Sequence, residues 1–156
     1  MTRLGQGKSW LMVGGCLSLI AALLHIGVII GGPDWYRFFG AGEGMARMDE
    51  RGLWQPMLMT IGIAAVLSVW ALYAFAGADR FPKLPLMRTA LVLISGIYLA
   101  RGLLIVPIMI EPHARTAFNI WSSLIVLVYG LVHAVGTWLV WPALKPKPIL
   151  SQKEAL

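Results

Sequence analysis

Five side chains in otherwise apolar surroundings could do chemistry: His25, Tyr98, Arg101, Tyr129 and His133. Arg101 is the only formal charge in the run from Thr89 to Ile110, and a charge within hydrocarbon persists only where something pairs with it. Its guanidinium is planar, permanently charged and able to hold an oxyanion in a fork of two parallel hydrogen bonds. With Tyr98 one turn away and His25 from another run, it is expected to form an outward-facing pocket for an anionic or polar-headed ligand. Glu43, Asp34 and Glu111 are the expected counter-ions, because a long side chain can reach toward an aqueous boundary. The plainer alternative is that Arg101 pairs with one of these acids, or with a helix carbonyl freed by Pro107, and pins the helices together.

Two histidines inside apolar runs also raise a haem site, since facing imidazoles can hold iron in a helix bundle. Counted along the helices, His25 lies about 8 Å, Arg101 about 13 Å and His133 about 22 Å below the outer end of its run. Arg101 and His25 can therefore meet, whereas the two histidines are poorly matched as axial ligands of one iron. No HExxH, Gly-rich phosphate loop or cluster of Cys, His and carboxylate is present, so no metal site or catalytic residue is expected. The GAGEG segment follows no strand. Cys16 is the single cysteine, which excludes an intramolecular disulfide and a CxxC redox centre.

The elements that must position these groups are helices. A chain that is 58% hydrophobic and 13% charged has the composition of an integral membrane protein rather than a soluble domain. Four runs, at about 10–30, 57–78, 89–110 and 118–141, each reach the roughly 20 residues that cross a bilayer as helix. Residues 1–156 thus read as a single all-α membrane domain, a four-helix bundle. The first run is read as a retained span, because it exceeds the roughly 7–15 residues of a signal-peptide core.

Lysine and arginine set the expected orientation. Arg3 and Lys8, the loop with Arg80, Lys83 and Arg88, and the tail with Lys145, Lys147 and Lys153 belong in the cytoplasm of a bacterial inner membrane. Both termini are then cytoplasmic, and the basic balance reflects topology rather than nucleic-acid binding. Trp10, Trp138 and Trp141 would mark the inner interface, and Trp35, Trp54 and Trp121 the outer one. Pro146 and Pro148 are expected to close the last helix.

The segment 33–51 reads as a short interfacial helix, a glycine-rich turn, and a second helical piece near Met45 to Glu50. Asp34 would cap the first piece, with Trp35, Phe38 and Phe39 turned to lipid or bundle, and Arg37, Glu43, Arg47 and Glu50 to water. The segment either anchors at the headgroups or walls a cavity.

Small residues mark the expected contacts between spans. Gly14, Ser18, Ala21, Ala22 and His25 share a stripe in the first; Thr60, Ala64, Ser68 and Ala71 share one in the second. Ser122, Tyr129, Gly130, His133, Gly136 and Thr137 form the most polar face, in the fourth, and should point into the bundle core.

The segments HIGVIIGGPDWYRFFGAGE and WSSLIVLVYGLVHAVG resemble those of a family of small bacterial four-span membrane proteins. In size and span count the chain is also similar to DoxX-like and EXPERA-type bundles, although the paired intramembrane carboxylates of the sterol-isomerase type have no counterpart here. The resemblance implies a membrane bundle and assigns no catalytic residue. The expectation for function is non-enzymatic binding of a membrane lipid or other amphiphile. The alternatives are a structural homodimer or a subunit of a membrane-protein partner, associating through small-residue faces, and a haem-bearing redox protein.

Overall fold

A computed structural model describes residues 2–144; the expectations for Lys145, Pro146, Lys147, Pro148 and Lys153 lie outside the described residues. The chain forms α1 (Arg3–Gly31), α2 (Pro33–Phe38), α3 (Glu43–Glu50), α4 (Gln55–Gly77), α5 (Met87–Leu103), α6 (Ile105–Ile110) and α7 (Ala117–Val140), with 3-10 turns at Pro112–Ala114 and Trp141–Leu144. Four stretches are long and apolar enough to cross a membrane: α1, α4, Met87–Ile110 and Ala117–Leu144.

Local chemistry sets the helix ends. α1 begins at Arg3, before the apolar run, because the Thr2 hydroxyl accepts from the Gly5 N–H at 3.2 Å and caps the first turn. It stops at Gly32, whose positive φ of 68° aims its N–H back at the Val28 carbonyl. The third span is not continuous: it breaks at Leu104, between α5 and α6. Pro107 explains the break, because it has no N–H to give the Leu103 carbonyl and its ring crowds that turn. Thr116 caps α7 by accepting from the Asn119 N–H at 3.1 Å.

α1 packs along α4 on one side and α7 on the other, and α7 packs along α5, whereas α4 and α5 touch only sparsely. The helices thus form a row, α4–α1–α7–α5, bent so that its edges approach. Glycine permits the closest approach: a Cβ on Gly102 would lie 2.5 Å from the Leu127 Cα across the α5–α7 contact.

The two ends differ in chemistry. At the basic end Lys8 pairs with Asp79 at 2.7 Å, Arg3 lies over Trp138, and Arg88 lies over Trp141 while donating to its carbonyl at 3.0 Å. Lys83 donates to the Ala143 carbonyl. These contacts gather the start of α1, the α4–α5 loop and the end of α7 on one side. The opposite end carries α2 and α3, which pack on α1 and α4 as a cap.

The cap is held by a residue other than those expected. Tyr36 is 1% exposed and packs with Val28 and Ala46, and its hydroxyl accepts from Thr60 at 3.4 Å. Trp35 and Phe38 remain exposed, and Phe39 is half-buried. α3 starts at Glu43, so Gly44 lies inside a helix rather than in the turn. A Cβ on Gly40 would lie 2.2 Å from the Phe118 ring, so the turn between α2 and α3 touches the first turn of α7.

Candidate functional site

Three helices contribute one side chain each to a closed polar layer. Ser18 of α1 lies with its hydroxyl 2.9 Å from that of Tyr98 on α5 and 3.4 Å from Nε2 of His133 on α7. His133 Nδ1 is 2.8 Å from the Tyr129 carbonyl. A carbonyl can only accept, so Nδ1 carries the proton and Nε2 of the neutral ring is left as an acceptor. The Ser18 hydroxyl then donates to Nε2 and accepts from Tyr98, which gives the chain of hydrogen bonds one direction.

Packing closes the layer. Ser18 and His133 are 0% exposed, and a Cβ on Gly14 would lie 2.9 Å from the imidazole. Trp70 meets Tyr98 edge-on at 4.9 Å between ring centroids, and Tyr129 does so at 5.7 Å. Every buried hydroxyl and ring nitrogen in the trio has a partner, as a low-dielectric site requires.

Toward the cap, the same inward stripes open. On α1 the positions Leu11, Ser18 and His25 recur every seven residues on one face; the first two are sealed and His25 is half-buried. On α7 His133 is sealed, while Tyr129, Val126 and Ser122 are half-buried. On α5 Ile94, Tyr98 and Gly102 are buried, and Arg101, on the flank of that stripe, is exposed. The flank of α4 that carries Trp70 continues through Ile63 and Met59, which are 48% and 58% exposed. Above the Ser18–Tyr98–His133 floor α5 stays against α7 at Gly102, and the sparse α4–α5 contact leaves a crevice open on that side alone.

Arg101 stands on the wall. Its Nη1 donates to the Ser123 hydroxyl at 3.2 Å, and among the described residues it forms no ion pair. The expected counter-ions are engaged elsewhere. Arg37 gathers Asp34 at 3.3 Å, Glu43 at 2.8 Å and Glu50 at 2.7 Å, and Glu43 also takes Arg47 at 2.9 Å. Glu111 faces His113 at 3.1 Å. The correction is one of reach and competition: the acids of the cap lie within one turn or one loop of their own arginines. The hydrogen bonds from Arg37 and Arg47 hold the Glu43 carboxyl well below the usual carboxylate range, at about 2, and raise Arg37 in turn.

The remaining candidates are placed as follows. His25 Nδ1 meets the Ala21 carbonyl of its own helix at 2.8 Å, a local bond rather than one to Arg101 or Tyr98. Ser122 donates to its own helix at Asn119, 3.3 Å away, and Ser68 does the same to Ala64 at 2.8 Å. Thr137 is buried, and its hydroxyl has no partner among the described residues. The residues do not fit a haem between the histidines: both nitrogens of His133 are hydrogen-bonded, its ring is enclosed, and His25 lies about 10 Å further along α1 than the Ser18 level. No group of three potential metal ligands occurs among the described residues.

Sequence reasoning passed over Ser123, Trp70 and Tyr36. Ser123 lies seven residues before Gly130 and so shares the face that α7 presents to α5; that spacing was the available signal. Tyr36 carried none, since one turn of a six-residue helix fixes no phase. Comparison with family models, with curated proteins and with solved structures finds no match to this chain.

Proposed function

We propose that this chain is a non-enzymatic binding protein of a bacterial inner membrane, whose crevice holds a lipid or similar amphiphile. The observation that carries the proposal is the exposed flank of α5: Ile94, Tyr98 and Gly102 are buried, and Arg101 beside them is exposed with a single side-chain hydrogen bond among the described residues. A guanidinium has five N–H donors, and one held in an apolar wall with most of them unused favours a polar group that arrives with an apolar body. The floor below contributes shape rather than reaction, because its polar groups satisfy one another.

In this arrangement the basic end faces the cytoplasm, since Arg3, Lys8, Arg80, Lys83 and Arg88 outnumber Asp79, the one acid there among the described residues. The capped end, with α2 and α3 at the interface, faces outward. The six exposed tryptophans at the two ends, Trp10, Trp138 and Trp141 against Trp35, Trp54 and Trp121, suit headgroup belts.

A role as a partner subunit is favoured by a different observation: a groove of about 280 Å³ between α1 and α4, lined by Ala22, Ala64, Ala65 and Ser68 with exposed Leu19 and Leu23 on its rims. Small residues of this kind let a further helix approach closely. Native mass spectrometry of gently extracted protein tests both. The crevice predicts a stoichiometric lipid adduct on the monomer that is lost in Arg101→Leu, with thermal stability unchanged. A bare oligomer that dissociates on Ala64→Leu would favour the groove, and loss of folded protein in Arg101→Leu would make Arg101 a structural pin.

A further inference from the structure

We infer that the occupant of the crevice is an anionic phospholipid, received sideways through the gap between α4 and α5, with its phosphate on Arg101 and an acyl chain along Ile63 and Met59. This rests on the crevice proposed above and adds the charge of the ligand, its direction of access and its pose.

Three observations set the class. The first is charge. Arg101 is permanently cationic and exposed, and its one side-chain partner among the described residues, the Ser123 hydroxyl at 3.2 Å, is neutral. Asp34 and Glu43, which could have neutralised it, are held by Arg37 and Arg47, and Glu111 lies against His113 instead. A cation in hydrocarbon without a protein counter-ion is stabilised by an anion from the bilayer, and a fork of N–H groups suits a phosphate.

The second is depth. Ser123 lies six residues into α7, about 9 Å from its start, so a guanidinium at that level sits below the headgroup plane. A phosphate must be drawn slightly inward to meet it, which a crevice allows and a sealed helix face does not. The third is the lining. The α4 flank facing the gap is apolar and exposed at Ile63 and Met59, and it ends on the Trp70–Tyr98 pair. Those rings limit how far a chain descends. The cap rests on α1 and α4 and reaches α7 at Phe118, which leaves the α4–α5 side as the way in.

The test is lipid competition on the full chain in detergent, read by native mass spectrometry with equimolar phosphatidylglycerol and phosphatidylcholine. The wild type should retain phosphatidylglycerol over phosphatidylcholine by roughly tenfold or more, the scale of one hydrogen-bonded charge. Arg101→Gln should lose that preference, its phosphatidylglycerol falling to the low level of phosphatidylcholine, and Arg101→Lys, which keeps the charge but not the fork, should fall between them. Ile63→Trp, at an exposed position, should fill the gap and lose both lipids. Arg80→Gln at the basic end should leave the preference intact.

Equal retention of the two lipids by the wild type, with both lost in Ile63→Trp, would overturn the anionic assignment and leave the crevice standing. A preference that disappears in Arg80→Gln and survives in Arg101→Gln would overturn it in favour of the basic end. No retained lipid in any variant would overturn the crevice as well. Should Arg101→Gln not fold, Arg101→Lys and Ile63→Trp still decide between these outcomes.

Discussion

The half of the molecule toward the basic end is closed all round, whereas the half toward the cap is open on its α4–α5 side, although the same four helices build both. In the closed half the inward residues are Gly7, Leu11, Gly14, Ser18, His133, Gly136 and Val140, and all are buried. Glycine brings backbones together there, and the one polar trio satisfies itself. In the open half His25, Arg101, Ser122 and Tyr129 are polar and not sealed, His25 and Ser122 bond to their own helices, and only Gly102 keeps α5 close on α7. Association of helices in lipid depends on close packing rather than on hydrophobic expulsion. A stripe of small residues therefore zips, and a stripe of large polar ones keeps the helices apart.

The largest test of this contrast is to put a large residue into the closed half. In Gly14→Leu the new Cβ would start 2.9 Å from the His133 ring. Overpacking of this kind costs about 1–3 kcal/mol, and an imidazole pushed off its partners adds a similar amount. Loss of folded, monodisperse protein is the expected outcome in size-exclusion chromatography. The matching change in the open half, Val126→Leu, should be tolerated; equal damage from both would erase the distinction.

Next in size is Tyr36→Ala. Tyr36 is the most enclosed large side chain of the cap, and truncating a buried aromatic costs about 3 kcal/mol or more. The effect should be confined to α2 and α3, seen as faster proteolysis within residues 33–51, while the four long helices keep their circular dichroism. Ser18→Ala is smaller. It leaves the Tyr98 hydroxyl and His133 Nε2 each without its partner on α1, and polar contacts between helices in membranes average about 0.6 kcal/mol and reach about 1.7. A fall of a few degrees in thermal midpoint is expected, and no change at all would mean that the layer fills space without joining the helices.

How much of this was legible in the sequence follows the same division. Four helices of spanning length were readable because apolar runs of that length leave few other structures, and the structure places them within a few residues except at Arg3 and Leu104. The inward direction of Ser18, His133 and Thr137 was readable from their seven- and four-residue spacings to other small residues. The partner of Arg101 was not. Helical phase says which face a residue occupies but not which neighbour reaches it, and the three acids that seemed available lie against Arg37, Arg47 and His113 across separations of two to six residues. The sealed state of Tyr98 was likewise hidden, because it depends on Trp70 arriving from a different helix. The side on which the bundle opens depends on which two helices fail to touch, a property of the assembled row that no single segment carries.

The smallest effect lies in the charged cap, and it separates the cap from both halves of the bundle. Glu43 accepts from Arg37 and Arg47, which hold its carboxyl at about 2, below the roughly 4.3 of an unperturbed glutamate. A group whose pKa is depressed in the folded state adds stability that is present above its ordinary pKa and is lost as pH falls through the folded value. The α2–α3 pairing should therefore be intact at neutral pH and loosen between about pH 4.3 and about pH 2. Because both partners face solvent, salt should shrink the effect. The Arg37 Nε–H resonance reports it directly, with a midpoint near 2 in the wild type and no such step in Glu43→Gln. Tyr36 stays seated between Val28 and Ala46 throughout, since that contact contains no ionised group, so acid should free the charged rim of the cap without lifting it from α1. A coincident change at Tyr36 would mean instead that the ion pairs, and not the buried ring, hold the cap down.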